Sequence, residues 1–332
     1  MISTPWHLQA PAYDEIVAAA QRIAAVCRVT PVLESAELNA RVGARVLVKA
    51  DCLQRTGSFK LRGAYNTIAQ LAPAELAQGV VAYSSGNHAQ AVADAAQLLG
   101  TSAVIVMPSD APRTKLAGTR QLGAEVIEYD RFTEDRAAIA AALMRERGLA
   151  LVPPYEDRRI IAGAGTLGRE FLLQLRERDV TLDALLMGCG GGGLISGCAT
   201  AFAALSPATR VWAVEPEGFD DTRRSLLTGE RVSNTPGPRS HCDSLLVNTP
   251  GMISFGINRR LLAGAVTVSD ADVAQAMRVA RELLQLTVEP GGAVALAALL
   301  RGALPLAGRT VGIVLTGGNV DPDTYAALTA GN

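Results

Sequence analysis

Residues 56–64 are Thr56-Gly57-Ser58-Phe59-Lys60-Leu61-Arg62-Gly63-Ala64, a single lysine among small residues shortly after a predicted strand at 45–49. The small neighbours allow a ligand to approach the amine of Lys60 closely. Burial lowers the pKa of such an amine, so that it can act as a nucleophile toward an aldehyde. A surface lysine near the start of a helix is the alternative, because a single motif is only a hypothesis.

Short apolar runs alternate with helical patterns along the chain. Runs of four to six apolar residues between helices are typical of parallel strands that are buried on both faces. We therefore predict an α/β protein with helices at 63–71 and 89–99. The predicted strands cover residues 45–49, 80–83, 103–107, 124–128, 182–187, 210–214 and 310–315.

Composition restricts the possible partners and the compartment. The 332 residues carry a formal net charge of −1, without a basic face for nucleic acid. No run of about 18 apolar residues suggests a membrane span, and the N-terminus lacks an export signal. The five cysteines are odd in number and form no Cys-x-x-Cys pair, which favours reduced thiols. We expect a cytoplasmic protein that binds neither nucleic acid nor membrane.

Four consecutive glycines end the segment Gly188-Cys189-Gly190-Gly191-Gly192-Gly193, which fits the pattern G-x-G-x-x-G. The segment follows a predicted strand, and Glu215 lies at the end of the next strand, as in dinucleotide-binding folds. The same glycines would also bind a single phosphate at the start of a helix. A dinucleotide site leaves Lys60 and residues 84–88 without a role, so we favour a single phosphate.

Four further segments support a family assignment: residues 83–90, 189–197, 288–293 and 315–320. Together with residues 57–64, and in the same order, they resemble motifs of the fold type II pyridoxal-phosphate enzymes, in the branch of threonine/serine dehydratases and serine racemases. The resemblance extends over about residues 29–320. It implies the two-domain, parallel-sheet architecture of the tryptophan synthase β-like enzymes. We expect a large domain (1–82 and 157–332), a small domain (83–156), and a homodimer.

The resemblance also implies site residues and pyridoxal 5'-phosphate as the cofactor. Lys60 would hold the cofactor and act as the base on Cα, while Phe59 would pack on the pyridine ring or simply belong to the core. Asn87 would donate to the phenolic oxygen. The implied cofactor residues are Phe59, Lys60, Asn87, Gly190, Gly191, Gly192, Gly193, Leu194 and Thr316. The implied residues for the substrate carboxylate are Ser84, Ser85, Gly86, Asn87 and His88, of which His88 is equally consistent with a structural role.

Thr316 lies where the family usually has a serine that faces the ring nitrogen. A hydroxyl is too weak an acid to protonate a pyridine, so the ring would remain a modest electron sink. This favours β-elimination over transamination. The added methyl group of threonine puts the detailed geometry in question, but the chemistry is unchanged.

Two further implications of the resemblance are more specific. Ser85 matches the second acid/base group of the racemases, although it could merely bind the carboxylate. Glu215, the carbonyl of Phe219 and Asp221 resemble a cation site with oxygen ligands suited to Mg²⁺, Ca²⁺ or Mn²⁺. A solvated acidic turn is the alternative for that segment.

We therefore predict a dehydratase (ammonia-lyase) that converts a β-hydroxy amino acid to a 2-oxo acid and ammonia. L-Threonine and L-serine are the default substrates. The alternatives are a 3-hydroxyaspartate ammonia-lyase, a serine-type racemase, a dehydratase of hydroxyectoine utilization, and a binding protein without activity, against which the intact Lys60 argues. Arg136 or the segment Arg239-Ser240-His241 could recognise a second polar group of the substrate.

Overall fold

The computed structural model describes residues 9–84, 86–111, 113–130 and 132–330. In that part of the chain the strands are β1 (Val32–Leu33), β2 (Arg45–Ala50), β3 (Val80–Tyr83), β4 (Ala103–Pro108), β5 (Glu125–Tyr129), β6 (Ala150–Leu151), β7 (Ala184–Gly188), β8 (Arg210–Pro216), β9 (Leu262–Val268) and β10 (Thr310–Leu315).

The helices alternate with the strands, and short 3-10 turns cover Asp51–Leu53 and Asp243–Leu245. The α-helices are α1 (Tyr13–Ile23), α2 (Ala36–Val42), α3 (Lys60–Ile68), α4 (Pro73–Gln78), α5 (Asn87–Leu98), α6 (Arg113–Gln121), α7 (Arg136–Arg147), α8 (Arg158–Arg176), α9 (Gly193–Leu205), α10 (Asp221–Thr228), α11 (Met252–Leu261), α12 (Asp270–Leu284), α13 (Pro290–Leu300) and α14 (Pro322–Thr329). Among the described helices, none has the length and apolar character needed to cross a membrane.

The strands form two sheets. The larger sheet has the order β1-β2-β10-β7-β8-β9, and only the β1–β2 pair is antiparallel. The smaller sheet has the order β5-β4-β3-β6 and is parallel throughout. Apolar side chains fill the core on both faces of the larger sheet, as expected for parallel strands covered by helices. The predicted α/β class is confirmed.

Strand β3 belongs to the smaller sheet, because residues 80–83 pair with residues 103–106 of β4. The sequence interpretation began the small domain at residue 83 and so assigned residues 80–82 to the large domain. The boundary was placed where the motif at residues 83–90 begins. A motif at the end of a strand does not reveal the sheet to which that strand belongs. The predicted division into domains otherwise stays a prediction.

Several predicted elements differ from the observed ones by a few residues. The helix after the lysine begins at Lys60 and not at residue 63, and α5 begins at Asn87 and not at residue 89. Strand β9 was not predicted, because its sequence Leu-Ala-Gly-Ala-Val-Thr-Val is rich in small residues and lies mostly half-buried at the sheet edge. Strands of two residues, such as β1 and β6, leave too short a pattern to detect.

Helices α3, α8 and α9 pack with their backbones in contact. A Cβ atom on Gly163 would lie 2.5 Å from the carbonyl oxygen of Arg62, and one on Gly197 would lie 2.3 Å from the carbonyl oxygen of Ile161. Real Cβ atoms do not approach backbone oxygens so closely, so glycine is required at both crossings. The helix that begins with Lys60 is therefore set directly against its neighbours.

A buried group of charges anchors the same helix. The guanidinium of Arg62 binds Asp51 with two hydrogen bonds of 2.8 and 2.9 Å and also contacts Glu170 at 3.0 Å. Lys49 Nζ lies 2.6 Å from the other oxygen of Glu170. Because Arg62, Asp51 and Lys49 are almost fully buried, each charge depends on its partners, and loss of one would leave another unpaired.

Candidate active site

A cavity of about 170 Å³ lies where the carboxyl ends of strands from both sheets meet. Ligands commonly bind at this edge of open α/β sheets. Of the predicted cofactor and substrate residues, those that line the cavity are Phe59, Lys60, Ser84, Gly86, Asn87, His88, Gly190, Gly191, Gly192, Gly193, Leu194 and Thr316. Four motifs that are far apart in the sequence are thus brought to one place.

Lys60 is the first residue of α3, and its Nζ donates to the carbonyl oxygen of Pro154 at 2.8 Å. Burial lowers the pKa of this amine to about 8, and the nearby Glu289 carboxylate opposes the shift. The preceding loop is attached to the end of β10, since Phe59 N donates to Thr316 O at 3.1 Å. A lysine held in this way can supply the neutral amine that attacks an aldehyde.

The glycine loop joins β7 to α9. Gly192 has a φ of +90°, which favours glycine, and it immediately precedes the first residue of α9. A Cβ atom on Gly191 would lie 2.5 Å from the ring of Tyr155. Beside Gly192, two buried polar atoms of the described chain have no hydrogen-bond partner: Ser254 Oγ and Asn258 Nδ2. Neither residue lines the cavity, so the fit to an anionic phosphate depends on the glycine loop at the helix N-terminus.

The predicted carboxylate loop follows β3. Gly86 N donates to Ser84 Oγ at 3.2 Å, and Asn87 begins α5, so the start of a helix lies at the cavity wall. Nε2 of His88 donates to the carbonyl oxygen of Val152 at 2.9 Å. Burial and the charge of Lys60 lower the pKa of His88 to about 3, so the imidazole is neutral, in keeping with a structural role. Ser85 lies outside the described residues, and its role stays a prediction.

Phe59 and Thr316 occupy neighbouring positions on the cavity wall. The Phe59 ring centroid lies 5.2 Å from Lys60 Nζ, and the same ring packs against the core behind the larger sheet. Both roles considered for Phe59 therefore agree with its position. Thr316 directly follows β10 and is 7% exposed, which suits a hydroxyl that faces a bound ring.

The opposite wall of the cavity carries Tyr83, Lys115, Arg136 and Tyr155. The sequence predicted a possible role only for Arg136. The exposed guanidinium of Arg136 lies at the cavity mouth, 5.4 Å from the centroid of Tyr83. Lys115 Nζ pairs with Asp243 Oδ2 at 2.8 Å, whereas Arg136 has no ion-pair partner among the described residues. Tyr155 completes this wall, and burial raises the pKa of its phenol. Of these side chains, the sequence singled out only Arg136, as one of two candidates to recognise a second polar group of the substrate.

The second candidate for recognition of a polar group lies elsewhere. Arg239 and His241 are exposed, and Ser240 Oγ donates to Asp270 Oδ1 at 2.6 Å. None of the three lines the cavity. Of the two possibilities left open by the sequence, only Arg136 is at the site.

The predicted cation residues lie at the end of β8 and the start of α10, outside the cavity. Glu215 accepts hydrogen bonds from the backbone N–H groups of Thr222 and Arg223 at 2.9 and 2.8 Å. Burial, followed by the charge of Asp221, raises the pKa of Glu215 to about 8, and burial raises that of Asp221 to about 6.

One oxygen of this pair is unsatisfied, because Asp221 Oδ2 is buried without a partner in the described chain. Two buried acids and a free oxygen fit a divalent cation. In the described part of the chain, no group of three or more His, Cys, Asp or Glu side chains could hold a metal ion. This observation does not test the predicted site, which consists of two such side chains and the backbone carbonyl of Phe219. The cation stays a prediction.

The residues of the cavity fit pyridoxal phosphate. They offer a buried amine of lowered pKa, a glycine loop at a helix start for the phosphate, and the hydroxyl of Thr316 on the wall nearby. Lys60 would hold the aldehyde carbon, and Gly190–Gly193 with Leu194 would hold the phosphate.

Comparison with known proteins agrees with this fit. The model of the pyridoxal-phosphate dependent enzyme family matches residues 23–317. The L-threo-3-hydroxyaspartate ammonia-lyase of a Pseudomonas species is 44% identical over 324 residues, which cover 98% of this chain and 100% of that protein.

Solved structures have the same fold. Maize serine racemase superimposes with a TM-score of 0.90 at 36% identity, with 96% of each chain covered. The T.th. threonine deaminase gives a TM-score of 0.89 at 42% identity and covers 94% of this chain and 99% of its own. Because the family match spans most of the sequence and its motifs meet in one cavity, the chain belongs to the fold type II group of the pyridoxal-phosphate dependent enzyme family.

Proposed function

We propose that this pyridoxal-phosphate-dependent lyase is an ammonia-lyase for a 3-hydroxy amino acid whose side chain ends in a carboxylate. L-threo-3-Hydroxyaspartate is the first candidate. The observation that carries the proposal is the guanidinium of Arg136, which lies at the cavity mouth without a carboxylate partner among the described residues. This alternative from the sequence interpretation takes the place of threonine and serine.

The charge of Arg136 supplies the physical reason. A guanidinium can bind a carboxylate through two parallel hydrogen bonds, which gives both affinity and orientation. The methyl group of threonine and the hydrogen of serine offer it nothing to bind. The other cation of this wall, Lys115, is already paired with Asp243, so it is less available to a substrate.

Among the three related proteins described above, the one with the highest identity is named for this substrate. It also matches the present chain over its entire length. This likeness supports the proposal independently of the geometry of Arg136.

The chain's own residues have distinct tasks in the proposed reaction. When bound, pyridoxal phosphate supplies the electron sink that makes the substrate Cα–H acidic. Lys60 removes that proton, while the hydroxyl of Ser84 and the backbone N–H of Asn87 hold the α-carboxylate and Arg136 holds the second carboxylate. Loss of the β-hydroxyl as water, followed by hydrolysis of the enamine, gives a 2-oxo dicarboxylic acid and ammonia.

The test is a substrate panel for the purified holoenzyme with Arg136→Met and a matched control. Release of 2-oxo acid is measured with L-threo-3-hydroxyaspartate, its erythro isomer, L-serine and L-threonine. Arg136→Met should lower kcat/KM for the hydroxyaspartate by about 10- to 100-fold, since it removes a charge-assisted hydrogen-bond pair. The kcat/KM for serine should change by less than about threefold, and the exposed Arg239→Met should leave both values unchanged.

Two outcomes contradict the proposal. One is a wild-type enzyme that prefers serine or threonine to every hydroxyaspartate isomer. The other is an Arg136→Met variant that loses activity equally toward serine and hydroxyaspartate, which would mean that Arg136 supports the fold and not recognition.

A further inference from the structure

Glu289 is a buried carboxylate of the cavity to which the reaction described above assigns no role. It immediately precedes α13, is 3% exposed, and its backbone N–H donates to Gly317 O at 3.0 Å. A Cβ atom on Gly317 would lie 2.1 Å from Glu289 Oε1, so the carboxylate rests directly on the backbone after Thr316. A carboxylate so deeply buried requires hydrogen bonds or opposite charges around it, because burial penalises its charge.

The side chain of Asn87 is bound at both ends. Asn87 Nδ2 donates to Glu289 Oε1 at 2.6 Å, and Asn87 Oδ1 accepts from Asn319 Nδ2 at 2.8 Å. Asn319 Nδ2 also donates to the carbonyl oxygen of Thr56 at 2.8 Å. These contacts form a continuous chain from the lysine loop, through two amides, to Glu289.

This chain of hydrogen bonds determines the direction of the Asn87 amide. The carbonyl of Thr56 can only accept, so the NH₂ group of Asn319 must face it, and the oxygen of Asn87 must in turn face Asn319. An ionised Glu289 can also only accept, and it therefore takes one of the two hydrogens of Asn87 Nδ2. The second hydrogen remains for a ligand in the cavity that Asn87 lines.

Charged and titratable groups face Glu289 from several elements. They are Lys60 on α3, Lys115 on α6, Asp243 in the 3-10 turn, and the thiols of Cys52 and Cys242. Burial and Asp243 raise the pKa of Glu289 to about 7, against the opposing effects of Lys115, Asn87 and Lys60. Protonation would turn this acceptor into a donor and release the Asn87 amide from its fixed direction.

We propose that Glu289 is a positioning residue: it fixes the side-chain amide of Asn87 so that one N–H points to the cofactor, and it supplies the negative charge that faces Lys60. This inference does not depend on which hydroxy amino acid the enzyme uses. Asn87 contacts the ligand, whereas Glu289 acts through Asn87 and through its charge.

The experiment measures the dissociation constant of pyridoxal phosphate from the holoenzyme between about pH 6 and pH 8.5, from the absorbance of the bound cofactor. In the wild type, affinity should rise with pH near 7 as Glu289 ionises. Glu289→Gln keeps the shape but not the charge, so the contribution of Glu289 to this rise should disappear and only that of the Lys60 amine should remain. Affinity at about pH 8 should fall about 3- to 10-fold, because a neutral acceptor replaces a charged one in the hydrogen bond from Asn87.

The matched control is Glu156→Gln. Glu156 is a partly buried carboxylate that, like Glu289, has a raised pKa, but it accepts from Ile253 N and does not belong to the hydrogen bonds around Asn87. Its variant should keep the wild-type pH profile. The inference is overturned if Glu289→Gln has the wild-type profile and affinity, or if Glu156→Gln changes the profile in the same way.

If circular dichroism shows that Glu289→Gln does not fold, a second variant tests the same hydrogen bonds at Asn319, on the other side of Asn87. Asn319→Ala removes the donor to Asn87 Oδ1 and leaves the charge of Glu289 in place. Affinity for the cofactor should fall about threefold, as for one neutral hydrogen bond, with the pH step retained. Unchanged affinity in Asn319→Ala would contradict the positioning role.

Discussion

The two walls of the cavity are built in different ways. On the side of the larger sheet, small residues and backbone groups dominate, with Lys60, the glycine loop and Thr316 at strand and helix ends. On the side of the smaller sheet, long side chains such as Tyr83, Lys115 and Arg136 project into the cavity mouth. The first wall fits a cofactor that many enzymes share, and the second can distinguish one substrate from another. We infer that the wall of the larger sheet supplies most of the chemistry, with Asn87 as a cofactor contact from the other side, and that the wall of the smaller sheet determines selectivity.

The largest effect is expected on the wall of the larger sheet. Lys60→Ala removes the amine that holds the cofactor and takes the Cα proton, so turnover should fall by about 10³-fold or more for every substrate. The visible absorbance of the covalently bound cofactor, measured after incubation with pyridoxal phosphate, should disappear. Retained absorbance and turnover in Lys60→Ala would contradict the assignment of this wall to chemistry.

Ser85 tests whether the sequence segment that follows β3 also contributes chemistry. Racemisation needs a second proton-transfer group on the face of Cα opposite Lys60, worth about 10²-fold or more. In an enzyme with measurable inversion, Ser85→Ala should abolish inversion and leave L-substrate elimination within about threefold. Chiral chromatography and 2-oxo acid release measure the two activities. Equal loss of both would mean that Ser85 only binds the carboxylate, and a wild type without inversion would remove the racemase alternative.

Tyr83 sharpens the comparison within the wall of the smaller sheet. The guanidinium of Arg136 lies over its ring, a contact worth about 0.5–1 kcal/mol at an exposed site. Tyr83→Leu should therefore raise KM for hydroxyaspartate by about two- to fivefold, while kcat for serine is unchanged. Steady-state kinetics with both substrates provide the measurement. A loss in kcat for both substrates would show that this wall affects the chemistry as well.

The smallest effect is expected outside both walls, at Glu215 and Asp221. Their raised pKa values mean that the folded state binds more protons than the unfolded state, so without a cation stability should fall as pH rises from about 4 to 8. The slope cannot exceed about 1.4 kcal/mol per pH unit for each extra proton. Melting temperatures in chelator should show this decline, and Glu215→Gln should reduce it.

Added Mg²⁺ or Ca²⁺ should remove the decline in the wild type by mass action, because it binds only the folded protein. If Glu215→Gln responds to chelator and to cation as the wild type does, the ion does not bind there. Activity per bound cofactor should change little in either case, since neither carboxylate lines the cavity.

The division between the walls also explains what the sequence could predict. Lys60 and the glycine loop lie in short motifs whose chemistry depends on adjacent residues, and strands β3 and β10 are apolar runs with clear ends. Arg136 carries no local sign of its role, because only the packing of α7 brings it to the cavity. Glu289 meets Asn87 across 202 residues of sequence, a contact that only the completed fold creates.

The backbone contact between α3 and α8 limits how this enzyme can vary. Gly163 has no functional group and does not line the cavity, yet a methyl group there would force α3 away from α8. Because Lys60 is the first residue of α3, such a shift would move the reactive amine, and a displacement of about 1 Å can cost roughly 100-fold in rate. Gly163 should therefore accept as few substitutions over evolution as Lys60 itself. The reason would be the close spacing of α3 and α8, and not a catalytic role of Gly163.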